Sequence, residues 1–243
     1  MKVKRLIKII SLLIGLLLCV AVLNLPVITK QGVNYVVSTK KVPLYLKTLG
    51  FFYRHFACKQ LVSEIIKEPQ TDKNRILAIF KWTHENIKQN IPKNYPIVDD
   101  HVLDIIIRRY GTPDQFQDVF TTLCSYAGFK AFWFFIEGDN ARLSRTPISL
   151  VQLDGTWLVF DSYRGNYFLN DRGEIASAED IRNDLSICSN IVNFSPFIES
   201  INYSKYLKNL DPVGKISITR GEYQIPGKRI LYKIKSLLNM AYR

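Results

Sequence analysis

The chain has 243 residues, 47% of them hydrophobic and 22% charged, with a mean hydropathy of zero. That length and balance accommodate one globular domain plus an appendage and exclude wholesale disorder. The formal charge is +12, which suits anionic lipid, acidic glycan or nucleic acid; with no C2H2, RRM or helix-turn-helix pattern in the chain, nucleic acid is set aside as a partner.

Residues 1–25 read as an N-terminal membrane anchor or signal segment. Lys2, Lys4, Arg5 and Lys8 precede or enter an apolar run from Leu6 to Leu23, close to the ~20 residues that span a hydrocarbon core. Basic residues ahead of the run predict a cytoplasmic N-terminus and an exported C-terminal domain, that is, a single-pass protein of a bacterial inner membrane. A cleavable signal peptide is the alternative, but no small-x-small site follows the run. Residues 26–70 form a connector with short extended pieces, then a first helix over Leu49–Lys67. Thr71-Asp72 starts a stronger helix, in which Ile76, Leu77, Phe80, Thr83, His84 and Ile87 share one face. Asn90 to Asp100 is a loop, and Val102 to Arg109 is a short helix stopped at Tyr110-Gly111.

Thr112, Pro113 and Gln115 compose an N-cap, a first-position proline and a capping box. The helix they open runs to about Tyr126, and Gly128 ends it. Ala131 to Ile136 is apolar on both faces, as in a central strand, and Asp139 to Arg145 is a polar loop. Ile148–Leu153 and Trp157–Asp161 are strands joined by Asp154-Gly155, a hairpin signal, and Tyr167–Leu169 adds a short strand. Beyond residue 170 the chain turns helical, with a short helix opened by Ala178-Glu179-Asp180-Ile181 and an amphipathic stretch over Ser200–Leu210. Its basic tail, Gly227 to Arg243, places Ile230, Leu231, Ile234, Leu237 and Leu238 on one helical face. That pattern fits contact with anionic lipid or packing back on the domain.

The order of helix, capped helix, strand and Asp-Gly hairpin ending in Trp157-x-x-x-Asp161 resembles the core of transglutaminase-like, papain-fold proteins over residues 71–170. The resemblance implies an α+β fold, with helices packed on an antiparallel sheet and one transmembrane helix ahead of it. In that family a cysteine begins the central helix, a histidine begins the first hairpin strand and an acid ends the second. The helix here matches with Phe116, Asp118, Phe120, Leu123, Gly128 and Ala131, so that Phe116 stands at the nucleophile position; a second register puts Pro113 there. Thr146 falls at the histidine position and Asp161 at the acid.

A thiolate needs a helix N-terminus and an imidazolium to lower its pKa, and the imidazole must take the proton. Phe116, Pro113 and Thr146 offer neither group, so the expected protein is a pseudoenzyme that binds or scaffolds a protein or polysaccharide partner, in cell-envelope or exopolysaccharide work. The alternative is an active amidase, protease or other hydrolase with a non-standard residue set, such as Asp118 with Asp161. Phe116, Asp118, Trp157 and Asp161 are the candidate cleft residues. Asp161 is equally suited to holding a turn with Ser162 and Arg164. No cofactor is expected, and no metal, since Asp99-Asp100-His101 suits a helix cap better than a ligand set. Cys124, mid-helix on an apolar face, reads as a core thiol, and His84 as a hydrogen-bonded core residue. A Cys58–Cys188 disulfide is compatible with an exported domain but is not established by spacing.

Overall fold

The chain divides into two units, one comprising Met1–Arg54 with Pro96–Asp100 and the other His55–Tyr95 with His101–Arg243. The computed structural model describes residues 2–33, 36–90, 92, 99–138, 144–194 and 201–241. Most of the loop expected at 90–100, and that expected at 139–145, lie outside the described residues.

In the first unit, α1 (Lys2–Leu23) is one apolar helix, and its Lys4–Leu23 portion is long and apolar enough to cross a membrane. From Lys4 to Leu23 its side chains are exposed, Leu12 and Leu17 to 75% and 68%. The expected connector is a hairpin of β1 (Pro26–Val33) and β2 (Val36–Pro43), paired along its length. Helix α2 (Leu44–Ile65) follows without a loop, five residues ahead of the expected start at Leu49. The Leu44 N–H donates to the Leu25 carbonyl and ties the helix start to the base of the hairpin. No Ser, Thr, Asp or Asn announces this start, because a backbone carbonyl from across the hairpin does the capping.

The second unit is an α+β fold. Its helices are α3 (Asp72–Asn86), α4 (Val102–Arg108), α5 (Pro113–Tyr126), α6 (Ala178–Asn183), α7 (Ser204–Leu207), α8 (Arg220–Tyr223) and α9 (Pro226–Ala241). Its strands are β3 (Lys130–Glu137), β4 (Arg145–Leu153), β5 (Thr156–Asp161), β6 (Asn166–Phe168) and β7 (Ile191–Asn193). They form one antiparallel sheet in the order β3-β4-β5-β6-β7, so every strand pairs with its chain neighbour. The β4–β5 turn places Asp154 and Gly155 at φ of 50° and 83°, the positive values that Asp-Gly supplies in a two-residue hairpin.

Side-chain alternation gives the sheet two apolar faces. On one, Ala131, Val151, Leu158 and Phe160 meet Ile76, Ile79, Phe80, Val119, Phe120 and Leu123 of α3 and α5, together with Val62 from the part of α2 beyond His55, which belongs to this second unit. On the other, Ile148, Leu150, Val159 and Phe168 meet Ile181, Ile187, Tyr203 and Leu207. Helix α5 is therefore walled in: every side chain from Gln115 to Ser125 is buried. Burying polar groups such as Gln117 and Asp118 costs free energy unless each finds a partner, and those partners define the candidate site.

The expected elements need correction in several places. The helix expected at Val102–Arg109 ends at Arg108, because Arg109 takes a left-handed φ of 59° as its C-cap. Its N-cap is His101, whose Nδ1 accepts from the Leu103 N–H (3.2 Å), not Asp99 or Asp100. The stretch Ser200–Leu210 is helical only over Ser204–Leu207 within its described part. Strand β7 and helix α8 have no counterpart in the expected elements. No disulfide joins Cys58 and Cys188.

Candidate functional site

The first turn of α5 meets the ends of β4 and β5. Gly111 hands the chain to Thr112, whose N–H donates to Gln115 Oε1 (3.1 Å), with Pro113 at the first helical position. That cap aims Gln117, one turn further on, at the sheet. Gln117 Oε1 accepts from Ser149 Oγ on β4 (2.6 Å) and from both Oγ and N–H of Ser162 just past β5 (2.8 and 3.2 Å). Its Nε2 donates to Asp161 Oδ1 (3.1 Å). A single amide thus ties helix α5 to two strands.

Asp161 is fully buried. Besides Gln117, it accepts from the Arg164 N–H (3.2 Å) on Oδ1, and from Arg164 NH1 (3.0 Å) and the Tyr203 hydroxyl (2.7 Å) on Oδ2. Tyr203 in turn accepts from Asn166 Nδ2 (2.8 Å). Burial, reinforced by the neighbouring Asp161 charge, pushes the Tyr203 phenol far above its ordinary pKa, so it stays a donor. Burial works against the Arg164 charge, but the Asp161 carboxylate outweighs it and raises the guanidinium pKa further. Arg164 NH1 also donates to Thr146 Oγ1 (3.2 Å) at the start of β4. The guanidinium therefore bridges the start of one strand and the end of the next.

The expected site residues do not share one cleft. Phe116 is 0% exposed and packs edge-to-face on Tyr163 with ring centroids 5.2 Å apart. Asp118 turns the other way, toward edge strand β3. It accepts from Trp133 Nε1 (3.3 Å) and pairs with Arg220 NH2 of α8 (2.9 Å). Asp118 and Asp161 share no partner among these contacts. Trp157 lies four residues from Asp161 along β5, about 13 Å at strand rise, where its ring meets Phe132 edge-on. It lines a separate hollow of about 310 Å³ with Ser177, Glu179, Arg182 and Pro212.

Sequence reasoning paired Asp161 with Arg164 as a turn but missed Gln117, Ser149 and Tyr203. Gln117 carried one available signal: a polar residue between the buried Phe116 and Val119 must find an internal partner.

The remaining candidates sit in packed surroundings. Cys124 is 0% exposed, and burial pushes its thiol well above its ordinary value. His84 Nδ1 lies 3.2 Å from the Ser162 carbonyl, as expected of a hydrogen-bonded packing residue. Ser149 and Ser162 both give their hydroxyl protons to a neutral amide, which cannot act as a base. Among the described residues, no group of three His, Cys, Asp or Glu is placed to hold a metal ion.

No protein-family model matches this chain, and no curated protein is significantly similar to it. Solved structures similar to part of it include a candidate cysteine protease from Cytophaga hutchinsonii, at 17% identity and a TM-score of 0.37, covering 56% of this chain and 45% of that one. A candidate protease from Parabacteroides distasonis matches at 11% identity and a TM-score of 0.37, covering 56% and 35%. A TGase matches at 12% identity and a TM-score of 0.35, covering 56% and 43%. The match spans under half the length of each of these three chains, and the similarity is distant.

Proposed function

We infer that this protein is a membrane-tethered, transglutaminase-like domain without thiol acyl-transfer chemistry, which serves as a binding or scaffolding module in the cell envelope. One observation carries the reading: the Arg164 guanidinium fills the space between Thr146 and Asp161, where the family motif calls for an imidazole. A guanidinium remains protonated throughout the physiological range and cannot accept a proton from a nucleophile. It holds the acid in a buried ion pair, and Asp161 thus has an orienting partner that does no proton transfer. Pro113 and Phe116, the two residues at the nucleophile position, carry no reactive atom, and the Phe116 ring is sealed in the core. The same core that resists water preserves the fold, so loss of chemistry leaves a stable scaffold. Its partner is a protein or polysaccharide of the envelope.

The test is an assay of amine incorporation into glutamine peptides, and of amide hydrolysis, by the fragment 25–243. That fragment begins at Leu25 so that the β1–β2 base is intact. The expected result is no turnover above background. Turnover abolished by Cys124→Ala would overturn the reading.

A further inference from the structure

Helix α9 is attached to its domain by the wrong side for a core helix. Its contacts come from Lys228, which pairs with Glu222 (3.0 Å), from Arg229, whose guanidinium lies 4.7 Å from the Tyr223 ring centroid, and from Tyr232, edge-on to the same ring. At 3.6 residues per turn these three share one side of the helix, and Ile230, Leu231, Ile234, Leu237 and Leu238 occupy the opposite arc, about 120° wide. Those five residues are 59%, 53%, 49%, 62% and 54% exposed. Lys233 and Lys235 flank the arc, one on each edge, and the helix contains no acidic residue.

We propose that α9 is a membrane-surface helix that lays its Ile230–Leu238 face into a bilayer carrying anionic headgroups. Such a surface offers an apolar layer and a negative layer at adjacent depths, which is the order presented by the arc and its two bordering lysines. A second copy of the chain fits less well, because face-to-face pairing would set like lysine rows opposite one another. The inference stands on α9 alone and is independent of the loss of acyl-transfer chemistry.

The experiment uses the full chain reconstituted into vesicles. Spin labels are placed at Ile234→Cys on the apolar arc or Ser236→Cys on the domain side, in a Cys19→Ser background. Cys58, Cys124 and Cys188 are buried and should react only slowly beside the exposed introduced thiol. In phosphatidylglycerol-containing vesicles, the Ile234 label is expected to relax with oxygen and the Ser236 label with an aqueous nickel chelate. In phosphatidylcholine alone, or in about 1 M salt, where the Debye length is ~3 Å, the Ile234 label should return toward water. Lys233→Gln with Lys235→Gln should lower the docked-to-undocked ratio roughly 25-fold, about fivefold per basic residue. Because Lys233, Ile234 and Lys235 are exposed and Ser236 is only half-buried, unchanged circular dichroism separates docking from folding. An Ile234 label that stays aqueous on anionic vesicles overturns the proposal. So does equal burial in neutral vesicles. Label–label broadening that tracks protein density regardless of lipid would assign the face to a second copy instead.

Discussion

Replacing Arg164 by methionine removes the guanidinium and keeps most of its bulk. Truncating one partner of a buried ion pair costs about 3–5 kcal/mol, because the surviving charge is left without compensation. Two features of this site lower that figure. Asp161 keeps hydrogen bonds from Gln117 Nε2, from the Arg164 N–H and from Tyr203, and the Arg164 side chain is 17% exposed, which lets water approach the gap. The expected loss for Arg164→Met is therefore about 2–3 kcal/mol. Asp161→Asn strands the guanidinium instead and should cost a similar amount. With both changes no buried charge remains, and the double variant should lose only about 2 kcal/mol in all, a coupling of about 2–4 kcal/mol. The assay is urea unfolding of 25–243 and its three variants at pH 7, followed by tryptophan fluorescence and circular dichroism to establish a common transition. Additivity within about 0.5 kcal/mol, or an Arg164→Met variant as stable as the parent, would refute the assignment of Arg164 as the partner of Asp161.

Three other outcomes are expected. At Gly221 an added Cβ would lie 2.5 Å from Ser125 Oγ and 3.0 Å from Thr122 Cα, so Gly221→Ala should lift α8 off α5 and lower the thermal midpoint, at about 1–3 kcal/mol. Burial alone would raise the Glu222 carboxyl, but the Thr219 N–H and Lys228 outweigh it and hold its pKa below the ordinary 4.5. The stability from Glu222 is therefore present above that value and lost as pH falls through the lower folded pKa; Glu222→Gln should cost about 1 kcal/mol at pH 7, with the gap to the parent closing in urea titrations run below pH 4. In the folded 25–243 fragment Cys58, Cys124 and Cys188 are buried, so maleimide should label them slowly and label all three at once in denaturant; rapid native labelling of Cys124, checked by mass spectrometry of its peptide, would contradict its burial.

The elements that were legible in the sequence are those whose signals are local. Thr112, Pro113 and Gln115 announced α5, Asp154-Gly155 announced the β4–β5 turn, and the Thr71 cap announced α3, since each works through atoms within four residues. The β1–β2 hairpin was read only as extended pieces because its residues alternate weakly and nothing nearby specifies the pairing. Around the site, only the pairing of Asp161 with Arg164 was legible, because the two lie three residues apart in sequence. Gln117 and Tyr203 were not legible, because their contacts to Asp161 cross 44 and 42 residues and depend on how the sheet is packed. Nor did periodicity reveal which way α9 faces; the apolar stripe is plain in the sequence, but the Tyr223 and Glu222 contacts that turn it outward are tertiary.

The bridge from Thr146 to Asp161 also bears on redesign. A lone Thr146→His change would crowd an imidazole against a guanidinium that already owns the carboxylate, and a lone cysteine at position 113 or 116 would have no base to meet. Installing a thiol, an imidazole and a free acid here would demand concerted substitution at three places, with each intermediate step carrying a stranded group. Arg164 thus works as a clasp: one side chain pins the start of one strand to the end of the next, and any change at Thr146 or Asp161 must reckon with it.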